Sequence, residues 1–194
     1  MKSCLFLGYN KNKTSLISFI KSKNWKIKNY SKTINYSKIY KHDLIVSFGY
    51  KKIIKKELLK KIKKPIINLH ISYLPYNRGS HPNFWSHVEE TPSGVSIHKI
   101  TEKLDSGPIL FQKKISFNLK NKKQDTFSKT YKILFKEIEK LFKKNFNKIA
   151  SGNYKLKNQV NKKATYHSKS ELPEKKFNWN NNILNFKKKY KYYL

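Results

Sequence analysis

Cysteine, arginine and acidic residues are scarce in this chain. Its 194 residues include one cysteine, Cys4, and one arginine, Arg78, and 11 Asp and Glu stand against 44 Lys and Arg. A single thiol makes neither an intrachain disulfide nor a multi-cysteine zinc site, so both frameworks are excluded and no metal is expected. No uninterrupted run of about 18 apolar residues occurs, and the apolar stretch 4–7 is too short for a signal-peptide core. Membrane insertion and secretion are therefore not expected, and a reducing cytoplasm fits. The length suits a single domain within the usual range of roughly 50–250 residues.

What the chain has in excess is lysine. The formal net charge is +33, yet 38% of residues are hydrophobic and 14% aromatic, which separates it from a disordered polycation. Beside 43 lysines stand 20 Asn, 20 Ile and 13 Tyr, so four residue types fill nearly half the sequence, as A- and T-rich codons would produce. The charge reads first as a solvated lysine surface, which adds solubility and nonspecific affinity for polyanions without fixing a fold.

One window escapes that bias. Residues 65–108 hold two lysines, Arg78 and four acids, a net charge of −1, while the other 150 residues carry +34. Five of the six prolines and three of the six glycines also fall there. A passive loop under the same bias would fill with lysine, so this window is expected to be buried, functional or both.

Around it, apolar runs at 3–8, 43–48 and 65–69 predict buried strands, and 95–100 and 109–115 predict two more. Thr14 is placed to cap a helix carrying Leu16, Ile17, Phe19 and Ile20. Residues 55–62 show helical spacing, residues 82–85 start another helix, and Asp125 is placed to cap a long one running through Phe127, Leu134, Ile138, Phe142 and Phe146. Strands alternating with helices predict an α/β, Rossmann-like fold, a mostly parallel sheet flanked by helices, with ligands outside the carboxyl ends of the strands. Residues 1–150 form the expected catalytic domain. Residues 151–194 are a weaker C-terminal extension, docked or partly mobile, with a short strand at 164–168 and a mixture of aromatics and lysines at 178–194.

Asn68 and His70 lie two apart on a predicted strand, so their side chains share one side. An amide donates to a developing oxyanion, and an imidazole moves a proton near neutral pH. Alone, the pair is weak evidence and is better read as a bonded Asn and a satisfied core histidine. The following residues add N-x-H-x-S-x-L-P-x-x-R-G at 68–79, P-x-x-W at 82–85, G-V-S-I-H at 94–98 and L-D-S-G-P-I at 104–109.

In that order and spacing these motifs resemble the folate-dependent formyltransferase family, densely over residues 43–115. The resemblance implies a catalytic set of Asn68, His70 and Asp105 and the co-substrate 10-formyltetrahydrofolate. Amine attack on the formyl carbon would create an oxyanion held by Asn68 and a protonated His70. Asp105 would orient His70 and, through a water, accept the amine proton. The pterin is expected on the backbone of two loops, at Phe48, Gly49 and Tyr50 and at Thr101 and Leu104. Ser72, Tyr76, Asn77, Arg78, Gly79 and His81 form the expected substrate loop, with Arg78 as its brace, and His98 is expected in the pocket floor.

The loop S-Y-L-P-Y-N-R-G followed by H-P-N-x-W resembles most the branch that formylates nucleotide-linked amino sugars, and a nucleotide sugar is the expected acceptor. A glycinamide ribonucleotide formyltransferase is the alternative, but its glycine-rich phosphate cradle has no counterpart in Gly8-Tyr9-Asn10-Lys11-Asn12-Lys13-Thr14. The nucleic-acid-binding domain carried by methionyl-tRNA formyltransferases is not expected. A basic nucleic-acid binder on a retired enzyme fold is the competing class. It is disfavoured because lysine is spread everywhere except the candidate cleft.

Overall fold

The computed structural model describes residues 1–173 and 177–190. Strands β1 (Ser3–Gly8), β2 (Lys26–Tyr30), β3 (Leu44–Phe48), β4 (Ile66–His70), β6 (Gly94–Lys99) and β7 (Ile109–Lys114) form one sheet in the order β2-β1-β3-β4-β6-β7. The first four are parallel, and β6 and β7 join antiparallel. Strands β5 (Arg78–Gly79) and β8 (Tyr166–His167) pair in parallel beside it. Helices α1 (Leu16–Ser22), α2 (Tyr36–Ile39), α3 (Lys56–Lys61), α4 (Pro82–Val88), α5 (Phe127–Ser151) and α6 (Ile183–Tyr190) complete the chain.

Both faces of the central strands are covered, which is why β1 and β3 read as unbroken apolar runs. On one face Cys4, Phe6, Val46 and Phe48 pack against Leu16 and Ile20 of α1 and Leu134, Ile138, Phe142 and Phe146 of α5. On the other, Leu5, Leu7, Ile45 and Ile66 meet Ile34, Ile39, Leu58 and Leu59. Strand β2 had no sequence signal because it is an edge strand whose lysines face water.

One expected cap is corrected and one is kept. Helix α5 is capped by Thr126, whose hydroxyl accepts from the Lys129 amide, while Asp125 pairs with Lys129 Nζ at 2.8 Å. Helix α1 begins after Ser15, whose side chain makes no capping bond; the Thr14 hydroxyl accepts from the Leu16 amide at 3.3 Å, as expected, and Glu139 of α5 reaches across to the same turn. Its Oε1 accepts from Thr14 Oγ1 at 2.6 Å and from the Ser15 amide at 2.8 Å.

The segment after α5 packs on the domain. His167 in β8 stacks on Trp85 of α4 at 4.0 Å and 9°, with Glu89 at 3.0 Å and Glu171 at 3.1 Å. Leu172, Ile183 and Phe186 join Phe84, Trp85 and Phe127 in a second apolar cluster. Of the aromatic and lysine-rich tail expected at 178–194, residues 191–194 lie outside the described residues.

Candidate active site

The chain leaves β1 toward β2 on one side and β3 toward β4 on the other, so the sheet opens a crevice at the carboxyl ends of β1 and β3. A cavity of about 500 Å³ lies there, walled by Tyr9, Phe48, Gly49, His70, His81 and Trp179 among others. Gly49, at φ +66°, lets the Tyr9 ring lie over the backbone where a Cβ would stand 2.3 Å from it. Tyr9 in turn meets Tyr131 of α5, hydroxyl to hydroxyl at 3.4 Å.

Beside the cavity, β4 carries Asn68 and His70 on one side, and the antiparallel register places His98 of β6 directly across from Asn68. Asn68 Nδ2 lies 3.1 Å from His98 Nε2 and donates to Asp105 Oδ1 at 3.3 Å. Asp105 faces both imidazoles, at 3.7 Å from His70 Nδ1 and 3.4 Å from His98 Nε2. Its Oδ2 also accepts the Gly79 amide at 3.0 Å. Asp105 reaches this position through a left-handed backbone at φ +48°. Next to it Gly107 passes so close to Lys99 that a Cβ would lie 1.9 Å from the carbonyl oxygen.

Charge follows from these contacts. Burial alone would raise the Asp105 pKa, but the two imidazoles and the Gly79 amide outweigh it and hold the carboxyl far below the ordinary range. Burial is the largest influence on His70 and lowers its pKa against the opposing pull of Asp105, so the imidazole is neutral at pH 7. His70 Nε2 faces the Asn77 carbonyl oxygen at 3.4 Å, and Nδ1 faces the Asp105 carboxylate at 3.7 Å.

Asn68, His70 and Asp105, 37 residues apart at the extremes, are thus brought together. Phe48, Gly49, Gly79 and His81 line the cavity. Tyr50 turns to the opposite sheet face, where its hydroxyl donates to the Lys32 carbonyl. Thr101 bonds within its own exposed loop, and Leu104 is exposed. Ser72 and Asn77 are buried and spend their polar atoms on neighbouring protein groups. Ser72 Oγ donates to the Tyr76 carbonyl, and Asn77 is tied to Thr91 and Thr165. Arg78 Nε and Nη2 donate to Gln159 Oε1 at 3.0 and 2.7 Å.

Sequence reasoning missed Tyr9, Tyr131 and Trp179 in the cavity wall and Gln159 behind Asp105. The three aromatics sit in stretches that read as loop, core helix and tail. Nothing around Gln159 marks it, and only the solitary arginine hinted that something planar needed holding.

A family model described as formyl transferase matches residues 4–141. Methionyl-tRNA formyltransferase of Prochlorococcus marinus is 32% identical over 171 residues, 86% of this chain and 52% of that protein. The bifunctional polymyxin resistance protein ArnA of Wigglesworthia glossinidia brevipalpis is 36% identical over 130 residues, 62% of this chain and 19% of that protein. The chain therefore spans about half or less of the length of these curated relatives. Among solved structures, the formyltransferase PseJ from Anoxybacillus kamchatkensis, in complex with UDP-4,6-dideoxy-4-formamido-L-AltNAc and tetrahydrofolate, is 31% identical with a TM-score of 0.83. That likeness covers 94% of this chain and 96% of the other. The motifs of residues 68–109, the doubly wound sheet and the family match agree, and the chain belongs to the formyl transferase family.

Proposed function

We propose that this protein transfers a formyl group from 10-formyltetrahydrofolate to the primary amine of a nucleotide-linked amino sugar. The observation that carries the reading is the convergence of Asn68, His70 and Asp105 beside a partly apolar cavity. The sugar branch is supported by the likeness to PseJ over 94% of this chain, which takes in most of the segment after α5.

The residues present fit such a co-substrate, which supplies an electrophilic formyl carbon. Phe48 and Gly49 line the cavity at the switch point of the sheet and offer it an apolar edge. Asn68 Nδ2, held between Asp105 and His98, supplies the N–H that an oxyanion would take in exchange for one of those two partners, and a donor of this kind is worth on the order of 10²–10³ in rate. Neutral His70 takes the amine proton, Asp105 stabilises the imidazolium so formed, and the imidazolium returns the proton to the tetrahydrofolate nitrogen as the bond from that nitrogen to the formyl carbon breaks. We read His70 as the base, a role that the sequence leaves open.

The test is a panel of UDP- and dTDP-linked amino sugars with 10-formyltetrahydrofolate, read by mass for one added formyl group. Methionyl-tRNA forms a separate arm, because the Prochlorococcus relative and the lysine-rich surface favour it as second reading. Formylation of a sugar amine is expected. Formylation of the tRNA arm alone would replace the acceptor, and no turnover on any arm would defeat the reading.

A further inference from the structure

We propose that Gln159 is a positioning residue that holds Asp105 in place, so that the segment beyond α5 completes the active site. Gln159 lies 54 residues past Asp105, outside the stretch matched by the family model. Its Nε2 donates to the Asp105 carbonyl at 2.8 Å and the Gly107 carbonyl at 2.7 Å. Its Oε1 receives Nε and Nη2 of Arg78. Both N–H groups and both lone pairs are used, and two carbonyls on one side with a guanidinium on the other fix which end is nitrogen.

The bonds close a ring. Arg78 holds Gln159, Gln159 holds the Asp105 backbone, and the amide of Gly79, next to Arg78, holds the Asp105 carboxylate. Asp105 needs such support because its left-handed backbone is one that side chains rarely adopt. Pairing of β5 with β8, which sets Arg78 opposite Tyr166 and Gly79 opposite His167, locks the register of the ring. Arg78 Nη2 also donates to Asn161 Oδ1 at 3.1 Å. Two coplanar N–H groups converging on one amide oxygen, with a further bond to Asn161, match a guanidinium and not the tetrahedral donors of an ammonium. This accounts for an arginine at 78 in a chain that otherwise uses lysine.

The inference rests on the formyl-transfer reading, and the deciding substitution is Gln159→Glu. A carboxylate keeps an acceptor for Arg78 but offers no donor to the two carbonyls. If Gln159 only tethers the tail, this variant has wild-type turnover. If it positions Asp105, kcat falls about 10²-fold, the loss typical of a misplacement near 1 Å. Acceptor KM and the thermal unfolding midpoint change little. Titration of His70 followed by NMR moves to lower pH, because Asp105 opposes the lowering caused by burial. Wild-type kcat together with a wild-type His70 titration would overturn the proposal. If Gln159→Glu does not fold, Gln159→Met, of equal length and without either group, carries the same expectations. Failure of both to fold would make the residue structural and overturn it as well. A wild-type protein inactive on every acceptor defeats the formyl-transfer reading and leaves the His70 titration to decide this one.

Discussion

Asp105 receives one amide from the backbone and one from Asn68 while facing two imidazoles, so its charge is structural as well as chemical. Asp105→Asn preserves shape and removes the charge. It is expected to lower kcat on the order of 10²–10³-fold, as is Asn68→Ala, with steady-state rates as the measure. Asn68 and His70 were legible from a strand period inside a lysine-poor window, and Asp105 from the motif that carries the family resemblance. His98 was legible only as pocket floor, since its place across from Asn68 depends on strand register and not on sequence distance. Away from the site, His87 lies between Phe117 and Phe127, and burial first, then Lys187, pulls its pKa down to about 4. The unfolded chain binds this proton near pH 6.5, so the native state has full stability above that pH and loses it as pH falls toward about 4. The loss from this one group is at most about 3 kcal/mol. Denaturant unfolding at neutral and mildly acid pH is expected to show a smaller acid loss for His87→Leu than for wild type.

At the level of elements, helices α1, α3, α4 and α5 and the central strands were readable from period and run length, while α2, α6 and the element ends were not. Thr14 and Asp125 have the right chemistry for caps; Thr14 accepts the Leu16 amide but shares the start of α1 with a carboxylate from α5, and α5 is capped by the threonine next to Asp125. A long side chain arriving from another element takes up an amide that no local pattern assigns to it. Glu139→Ala removes the acceptor for Thr14 Oγ1 and the Ser15 amide at once. Destabilisation of about 1–3 kcal/mol is expected by denaturant unfolding. Gly79 tests the β5–β8 pair. At φ +90°, with the His167 carbonyl oxygen 2.3 Å from an added Cβ, it accepts no side chain without parting the strands. Gly79→Ala is expected to lower both the unfolding midpoint and kcat, because the same residue donates to Asp105.

The whole molecule carries a formal charge of +33, with its least basic stretch folded around the site. A nucleotide-linked acceptor is anionic, so the surrounding field raises its local concentration, and salt screens that field over about 8–10 Å at moderate ionic strength. Acceptor KM is therefore expected to rise with added salt while kcat stays nearly constant. Among the described residues no helix is long and apolar enough to cross a membrane.

The β5–β8 pairing also bears on what a truncation would leave. Gln159 braces the loop that precedes β7, whereas Thr165 and His167 brace the loop before α4. A chain cut soon after α5 would keep the central sheet packed on α1 and α5 but leave the Asp105 backbone unanchored, and such a product is expected to carry a fold without a working catalyst.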